Sequence, residues 1–287
     1  ELQRTGIVER AQQQSTQMRN LNWRDYQRLL LPWPELDEQR RIAATLTLAD
    51  DAINKARAEL DATREVNLSA VVELLARDCE QWEVTRFGAL TSEMIRNGYS
   101  PVCPQDPTGA WVLGLDSLTD EGFDAEGVKP APVGDDGLLR FRLEADDILV
   151  SRSNTPELVG RVGRYVGTPE IAYYPDLMMR IRVNKERVSP EFAELLLRST
   201  AGRVWLKSRA SGTSGSMVKI KRRDILSMPV ALPDRGRQDE IISFVSAVKE
   251  AVASTEKKLA ALKEIKKCLL QNLLTGKIRI PEGVVHA

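Results

Sequence analysis

One histidine occurs in the 287 residues, His286, beside the last position. General acid–base chemistry by histidine is therefore close to excluded. The three cysteines, Cys79, Cys103 and Cys268, lie far apart with no C-x-x-C pair, so neither a disulfide framework nor a zinc site is indicated. No apolar run approaches the length of a membrane span, and no basic, apolar and small-residue series marks a leader peptide. The default expectation is a cytoplasmic chain without a membrane partner. Net charge is absent too, at 41 basic against 41 acidic residues. With 42% hydrophobic and 29% charged residues, the composition is that of one compact domain plus an extended helical part, not of a collagen, a mucin or a disordered tail.

What is present is a long-range repeat. Sliding the chain by 199 positions lays residues 15–75 onto 214–274 without a gap, with identities that include Met18/Met217, Pro34/Pro233, Gln39/Gln238, Ile42/Ile241, Leu60/Leu259 and Leu74/Leu273. Thirteen of the 61 positions are identical, where composition alone gives roughly four. Each copy passes a proline and then runs some forty residues without another. The first carries the stripe Ile42, Leu46, Ala49, Ile53, Ala56, Leu60, Thr63, Asn67, Ala70, Leu74. The second carries Ile241, Val245, Val248, Val252, Thr255, Leu259, Leu262, Lys266, Leu269, Leu273. Apolar residues at alternating spacings of three and four specify a long amphipathic helix whose seam needs a partner helix. Each helix would be about 60 Å long, too long for an ordinary domain to cover, so the two copies are expected to zip against each other. Thr275-Gly276 marks the end of the second. The repeat also aligns residues 15–21 with 214–220, so residues 1–33 read as the tail of an earlier insert similar to the one between the helices.

Neutrality hides an asymmetry inside that insert. Glu83–Asp147 holds 5 basic and 13 acidic residues, and Ile148–Leu232 holds 15 basic and 7 acidic. From Leu195 to Arg223 there are eight basic residues and no acid, an electrostatic footprint for phosphates. The part from Arg198 to Arg209 can equally be the solvated face of an amphipathic helix. Gly212, Thr213 and Ser214 open a glycine and hydroxyl cluster within the run, which reads as a loop able to approach a nucleic-acid backbone. Ile148–Val150 reads as a short buried strand emptying into the polar loop Ser151–Asn154. Gly160–Val166 and Met179–Val183 alternate like strands with arginines on one face. Such arginines can reach bases or phosphates, or can be surface residues of a half-exposed sheet. Ser189-Pro190-Glu191 is a helix start leading to Leu197.

Four segments resemble the specificity subunit of type I restriction-modification systems. LPWPELDEQRRIAATL at 31–46 is similar to that family's proline-rich entry into its first conserved helix, and LLQNLLTGKIRI at 269–280 to the end of its last. ADDILVSRSNTPELVGRVG at 145–163 resembles the middle of a target-recognition domain, and SGTSGSMVKIKRRDILSMPVALP at 211–233 resembles its end. Two departures are local: Asp146-Asp147 where Gly-Asp is usual, and Arg235-Gly236-Arg237 where Leu-x-Glu is common.

The resemblance implies a mixed α/β target-recognition domain plus two long α-helices packed as an antiparallel coiled coil. The expected boundaries are 1–33 for the tail of a preceding recognition domain, 34–79 for the first helix, 80–233 for the recognition domain, 234–276 for the second helix and 277–287 for a C-terminal tail. It also implies one half of a bipartite site read in double-stranded DNA, with the helices docking methyltransferase subunits that use S-adenosylmethionine and a restriction subunit joining through the complex. The specificity subunit itself holds no cofactor and no active site. Two helices with a complementary seam act as a ruler, as dimer spacing does elsewhere. Candidate DNA contacts are Arg152, Ser153, Asn154, Arg161 and Arg164, then Gly212, Thr213 and Ser214, then Lys219, Lys221 and Arg222 for phosphates, and Arg96, Asn97 and Tyr99 in a less typical stretch.

Catalysis finds little support. There is no glycine-rich cofactor loop after a strand and no aromatic catalytic tetrapeptide of an adenine methyltransferase. Pro233-Asp234 followed by Glu264-Ile265-Lys266 mimics a nuclease pattern, but helical rise would place its acids about 45 Å apart. Two rivals stay open: a coiled-coil interaction scaffold whose head binds no DNA, and a half-length specificity subunit that dimerises on a symmetric site. The uncompensated basic run speaks against the first, and the tail-like residues 1–33 against the second.

Overall fold

The computed structural model describes residues 12–13, 20–21, 23–27, 33–76, 81–214 and 217–281. Cys79, His286, most of the segment 1–33 and residues 282–287 lie outside them. The chain divides into two compact units, one of residues 1–70 and 247–287 and one of residues 71–246.

The first unit is dominated by helices. After β1 (Gln12–Gln13), β2 (Asn20–Leu21) and α1 (Trp23–Gln27), α2 runs Leu36–Ala76 and α7 runs Arg235–Leu274. Ile53, Ala56 and Leu60 of α2 pack with Val252, Leu259 and Leu262 of α7. Ile42 and Leu46 pack with Leu269, Leu273 and Ile280. Ion pairs flank the contact, Asp50 to Lys266 at 2.5 Å, Glu59 to Lys258 at 2.7 Å and Arg64 to Glu256 at 2.5 Å. Partner numbers fall on α7 as they rise on α2. Pairs this exposed add little stability and chiefly fix register. Helix α7 gives way to Gly276 at φ 71°, whose N–H reaches the carbonyl of Leu273, the left-handed ending expected of Thr275-Gly276.

The stripe on α7 does not serve one partner throughout. Ile241, Ile242 and Val245 join the core of the second unit instead, with Ile241 fully buried. The seam expectation is corrected there: a helix entering a domain spends its first turns on that domain's core, and only later turns are free to meet another helix.

In the second unit, β4 (Arg96–Asn97), β9 (Ile148–Ser151), β11 (Val162–Arg164) and β13 (Met178–Ile181) form an antiparallel sheet in the order β11-β9-β13-β4. Every residue of β9 and β13 is buried. Side chains alternate across a strand, so Ile148, Val150, Met179 and Ile181 face one core with Phe87, Leu90 and Phe192, while Leu149 and Met178 face a second with Tyr165 and Tyr174. That two-sided burial explains the continuous apolar run at Ile148–Val150. Helix α4 (Pro190–Arg198) is capped by Ser189, whose Oγ accepts the Phe192 N–H at 3.1 Å, and α5 (Thr200–Arg209) follows. A second sheet joins β12 (Ala172–Tyr173), β5 (Trp111–Leu113) and β8 (Val128–Pro130), and β3 (Glu83–Arg86) pairs with β16 (Pro229–Leu232). Strands β6 (Leu118–Thr119) and β7 (Gly122–Phe123) make a hairpin, and α3 (Asp136–Leu139) and α6 (Arg222–Leu226) are short helices.

Candidate nucleic-acid interface

Four segments that the sequence leaves far apart lie side by side. The Gly98 N–H donates to the Met178 carbonyl and that of Tyr99 to Tyr174, while the N–H groups of Arg152 and Ser153 both reach Leu177. Strand β10 (Ser153–Asn154) pairs with β15 (Met217–Lys219), which pairs in turn with β14 (Ser211–Ser214). Backbone contacts thus run from Arg96 through 174–178 and 152–154 to 217–219 and 211–214. Gly98 permits the first junction: a Cβ there would stand 2.1 Å from the Tyr174 carbonyl oxygen and 2.4 Å from that of Pro175. Gly212 permits the last, where a Cβ would stand 2.4 Å from the Met217 carbonyl oxygen.

Along this strip the candidates divide by accessibility. Arg96, Asn97, Gly212, Lys219, Lys221 and Arg222 are exposed, Tyr99 is 39% exposed and Arg152 is half-buried. Among the described residues the Arg152 guanidinium reaches only the Asp176 carbonyl, at 3.4 Å. Tyr99 stacks on Phe141. The charge of Asp135, with partial burial and a hydrogen bond to the same carboxylate, holds the Tyr99 phenol above its ordinary pKa, so it is a protonated donor at neutral pH. Ser153 is fully buried, and Asn154 is 7% exposed with its side-chain Oδ1 accepting the Thr155 N–H. These two side chains shape the turn after β9 and present nothing to a duplex in this conformation. The cluster at Gly212–Ser214, expected as a loop, is strand β14 with a register shift; the side chains of Thr213 and Ser214 and residues 215–216 lie outside the described set.

Arg161 and Arg164 sit apart from the strip and are paired. Arg161 clamps both oxygens of Asp120, at 3.0 and 2.6 Å. Arg164 meets Asp146 at 2.8 Å, Glu191 at 3.3 Å and Glu194 at 3.7 Å. Arg161 precedes β11 and does not belong to it.

The charge asymmetry resolves in the same way. Six basic residues of the second half, Arg161, Arg164, Arg180, Arg182, Lys185 and Arg187, pair with acids of the first. Asp147, 1% exposed, takes Arg182 at 2.5 Å, and that bond, with the neighbouring carboxylates outweighing burial, raises the guanidinium pKa further. Asp146 is pushed up by burial, but Lys185 and Arg164 hold it below the usual carboxylate range. No such partner meets Lys207, Lys219, Lys221 or Arg222 among the described residues, and Arg223 has only Asp224 at 3.8 Å. Lys207, Arg223 and the exposed Met217 are missing from the sequence-derived candidates, although all three fall within the acid-free run 195–223. Exposed cations and an edge asparagine on one strip can bind phosphates and donate to base edges. A cavity of about 580 Å³ near Trp82, Arg187 and Arg235 contains none of the candidates. Among the described residues no group of three or more His, Cys, Asp or Glu could hold a metal ion, and no helix is long and apolar enough to cross a membrane.

No family profile matches the chain. The putative type I restriction enzyme MjaX specificity subunit of Methanocaldococcus jannaschii is 26% identical over 202 residues, covering 68% of this chain and 46% of that protein. The StySPI specificity subunit of Salmonella potsdam is 26% identical over 244 residues, covering 80% of this chain and 52% of that protein. Its curated relatives are type I restriction enzyme specificity subunits. The chain spans about half the length of these two. The type I restriction-modification S subunit from M. genitalium superposes with a TM-score of 0.53 at 16% identity, over 94% of this chain and 70% of that one. A chain from a structure of complex assembly and conformational transition in a type I R-M system gives 0.53 at 17% identity, over 86% and 62%. The specificity subunits therefore share this chain's mixed α/β fold.

Proposed function

We propose that the chain is the DNA-reading part of a type I specificity subunit, in which residues 80–233 read one half of a bipartite site in double-stranded DNA. The observation that carries this reading is the continuous strip from Arg96 to Gly212, on which the exposed cations Lys219, Lys221 and Arg222 keep their charge while Arg161, Arg164, Arg180 and Arg182 are neutralised internally. Arg96, Asn97, Tyr99 and Arg152 are placed to meet bases, and the three cations after Val218 to meet phosphates. Arg161 and Arg164 hold the domain together, and Arg161 also fronts a separate basic cleft. Helices 34–79 and 234–276 form an antiparallel coiled coil that sets the spacing of two half-sites and docks methyltransferase subunits, with the restriction subunit joining through them. Those subunits supply S-adenosylmethionine and the chemistry; this chain is not an enzyme. The assembly works in the cytoplasm, where incoming DNA is met.

The test is a genome-wide map of adenine methylation with and without the gene encoding the full protein. Loss of a single split, asymmetric motif is the expected result. Loss of a palindromic motif would replace the reading with a dimer of half-length subunits, and unchanged methylation with the methyltransferase expressed would refute DNA targeting.

A further inference from the structure

Beside the strip, the second unit holds a cleft of about 380 Å³ with a marked charge imbalance. Helix α5 presents Thr200, Arg203 and Lys207 to it from successive turns. Arg198 at the end of α4 and Arg161 ahead of β11 add two more cations, and Asp120 of the β6–β7 hairpin is the only acid in the lining. Four cations against Asp120 and the Glu194 carboxylate that pairs with Arg198 leave a net charge of plus two.

Two of these cations have a carboxylate partner, Arg161 in Asp120 and Arg198 in Glu194 at 3.4 Å, and Arg203 and Lys207 have none among the described residues. Arg203 donates to the carbonyls of Val159 and Glu157, and Arg198 donates to the carbonyl of Asp120 at 2.9 Å as well as to Glu194. Carbonyls fix a guanidinium in place but carry no counter-charge. Burial lowers the Arg203 pKa, Asp120 opposes that and Arg161 reinforces it. Asp120 is held low, first by the Arg161 hydrogen bond and also by the charges of Arg161, Arg203 and Lys207. Lys207 is exposed and has neither hydrogen bond nor ion pair among the described residues. The positive end of α5, with Thr200 in its first turn, adds to the same potential. An internal ion-pair network would match its charges; this one is short of anions. Gly160, at φ 73°, keeps the floor open, since a Cβ there would stand 3.0 Å from Ile220 Cδ1 and 3.1 Å from Arg203 Nη1.

We infer that this cleft binds one phosphate group, held by Lys207, Arg161 and the Thr200 hydroxyl, with Asp120 occupying Arg161 until the phosphate arrives. The group can come from the DNA backbone beside the strip, which rests on the proposed DNA reading, or from a free phosphate compound, which does not. Gly160 packs on Ile220, the neighbour of Lys219, so the cleft lies next to the strip's own phosphate-facing cations.

Two arms test it. The full chain is titrated with inorganic phosphate against chloride at equal ionic strength, and binding is read calorimetrically. Saturable binding is expected, weakened about five-fold by Lys207→Ala and by the milder Lys207→Gln. Asp120→Asn is expected to tighten it several-fold, because it removes the carboxylate competing for Arg161; a merely structural aspartate would give no tightening. In the assembled complex, Lys207→Ala should reduce the slope of log affinity against log salt by about 0.9 if the phosphate is the DNA's. An unchanged slope with phosphate binding intact assigns the cleft to a free phosphate compound. No phosphate binding and no change of slope, in a complex that still binds DNA, overturns the inference and leaves the proposed function standing.

Discussion

Asp146 is the only described non-glycine residue with a positive φ, at 76°, and it stands where the resembling family has glycine. Two effects oppose each other at this position. The left-handed backbone costs an ordinary L-residue roughly 1–2 kcal/mol, less for aspartate. The carboxylate meanwhile accepts from Arg164 and from Lys185, both at 2.8 Å. Arg164 keeps Glu191 and Glu194 if Asp146 is lost, and Lys185 is 66% exposed, so the ion pairs contribute about 1 kcal/mol after screening. Asp146→Asn, which keeps the tolerance for this backbone, should therefore cost about 1 kcal/mol in urea unfolding at neutral pH. Asp146→Ala adds strain and should cost about 2 kcal/mol. Asp146→Gly relieves the strain but loosens the unfolded chain by roughly 0.4–1 kcal/mol, and should be about 1 kcal/mol more stable than Asp146→Ala. The folded-state pKa of Asp146 is depressed, so its stabilising effect is complete above the unfolded value of about 3.9 and is lost as pH falls through the folded value. The gap between wild type and Asp146→Asn should close over that acidic range. Asp146→Gly no more stable than Asp146→Ala would refute the strain argument, and a gap that does not narrow as pH falls below about 3.9 would refute the electrostatic one.

The repeat supplies a paired comparison. Gln238 is fully buried and its side chain bonds the carbonyls of Arg187 and Pro233 and the N–H of Ser189, whereas among the described residues Gln39 bonds only the Pro34 carbonyl; Gln238→Ala should cost about 3 kcal/mol and Gln39→Ala under about 1 kcal/mol in urea titrations. Gly98→Ala should destabilise the second unit by about 2 kcal/mol or more and expose the amides of 96–99 to hydrogen exchange, since its Cβ would overlap the Tyr174 carbonyl oxygen; protection unchanged at those amides would contradict the junction. Replacing Lys219, Lys221 and Arg222 together by alanine should lower the salt slope of DNA binding by the complex by about 2.7, at roughly 0.9 per phosphate, while leaving the methylated motif unchanged. Equal slopes would remove these residues from the interface.

The repeat, the helix stripes and the glycine stop at Gly276 were legible because helical periodicity and chain punctuation are local properties written in adjacent residues. The buried strand at Ile148–Val150 and the cap at Ser189 were legible for the same reason. Which arginines keep their charge was not: Asp120 lies 41 positions from Arg161 and Glu93 lies 87 from Arg180, and only the folded sheet brings such partners together. Ser153 and Asn154 look like reading residues in sequence, yet strand pairing turns them inward. Ile241 and Val245 carry the helical stripe but pack into the domain core, because the stripe records that a face is apolar and not what covers it. By itself the sequence determined two helices and a domain with a basic second half; tertiary structure decided which cations remain uncompensated, since charge is cancelled across space and not along the chain.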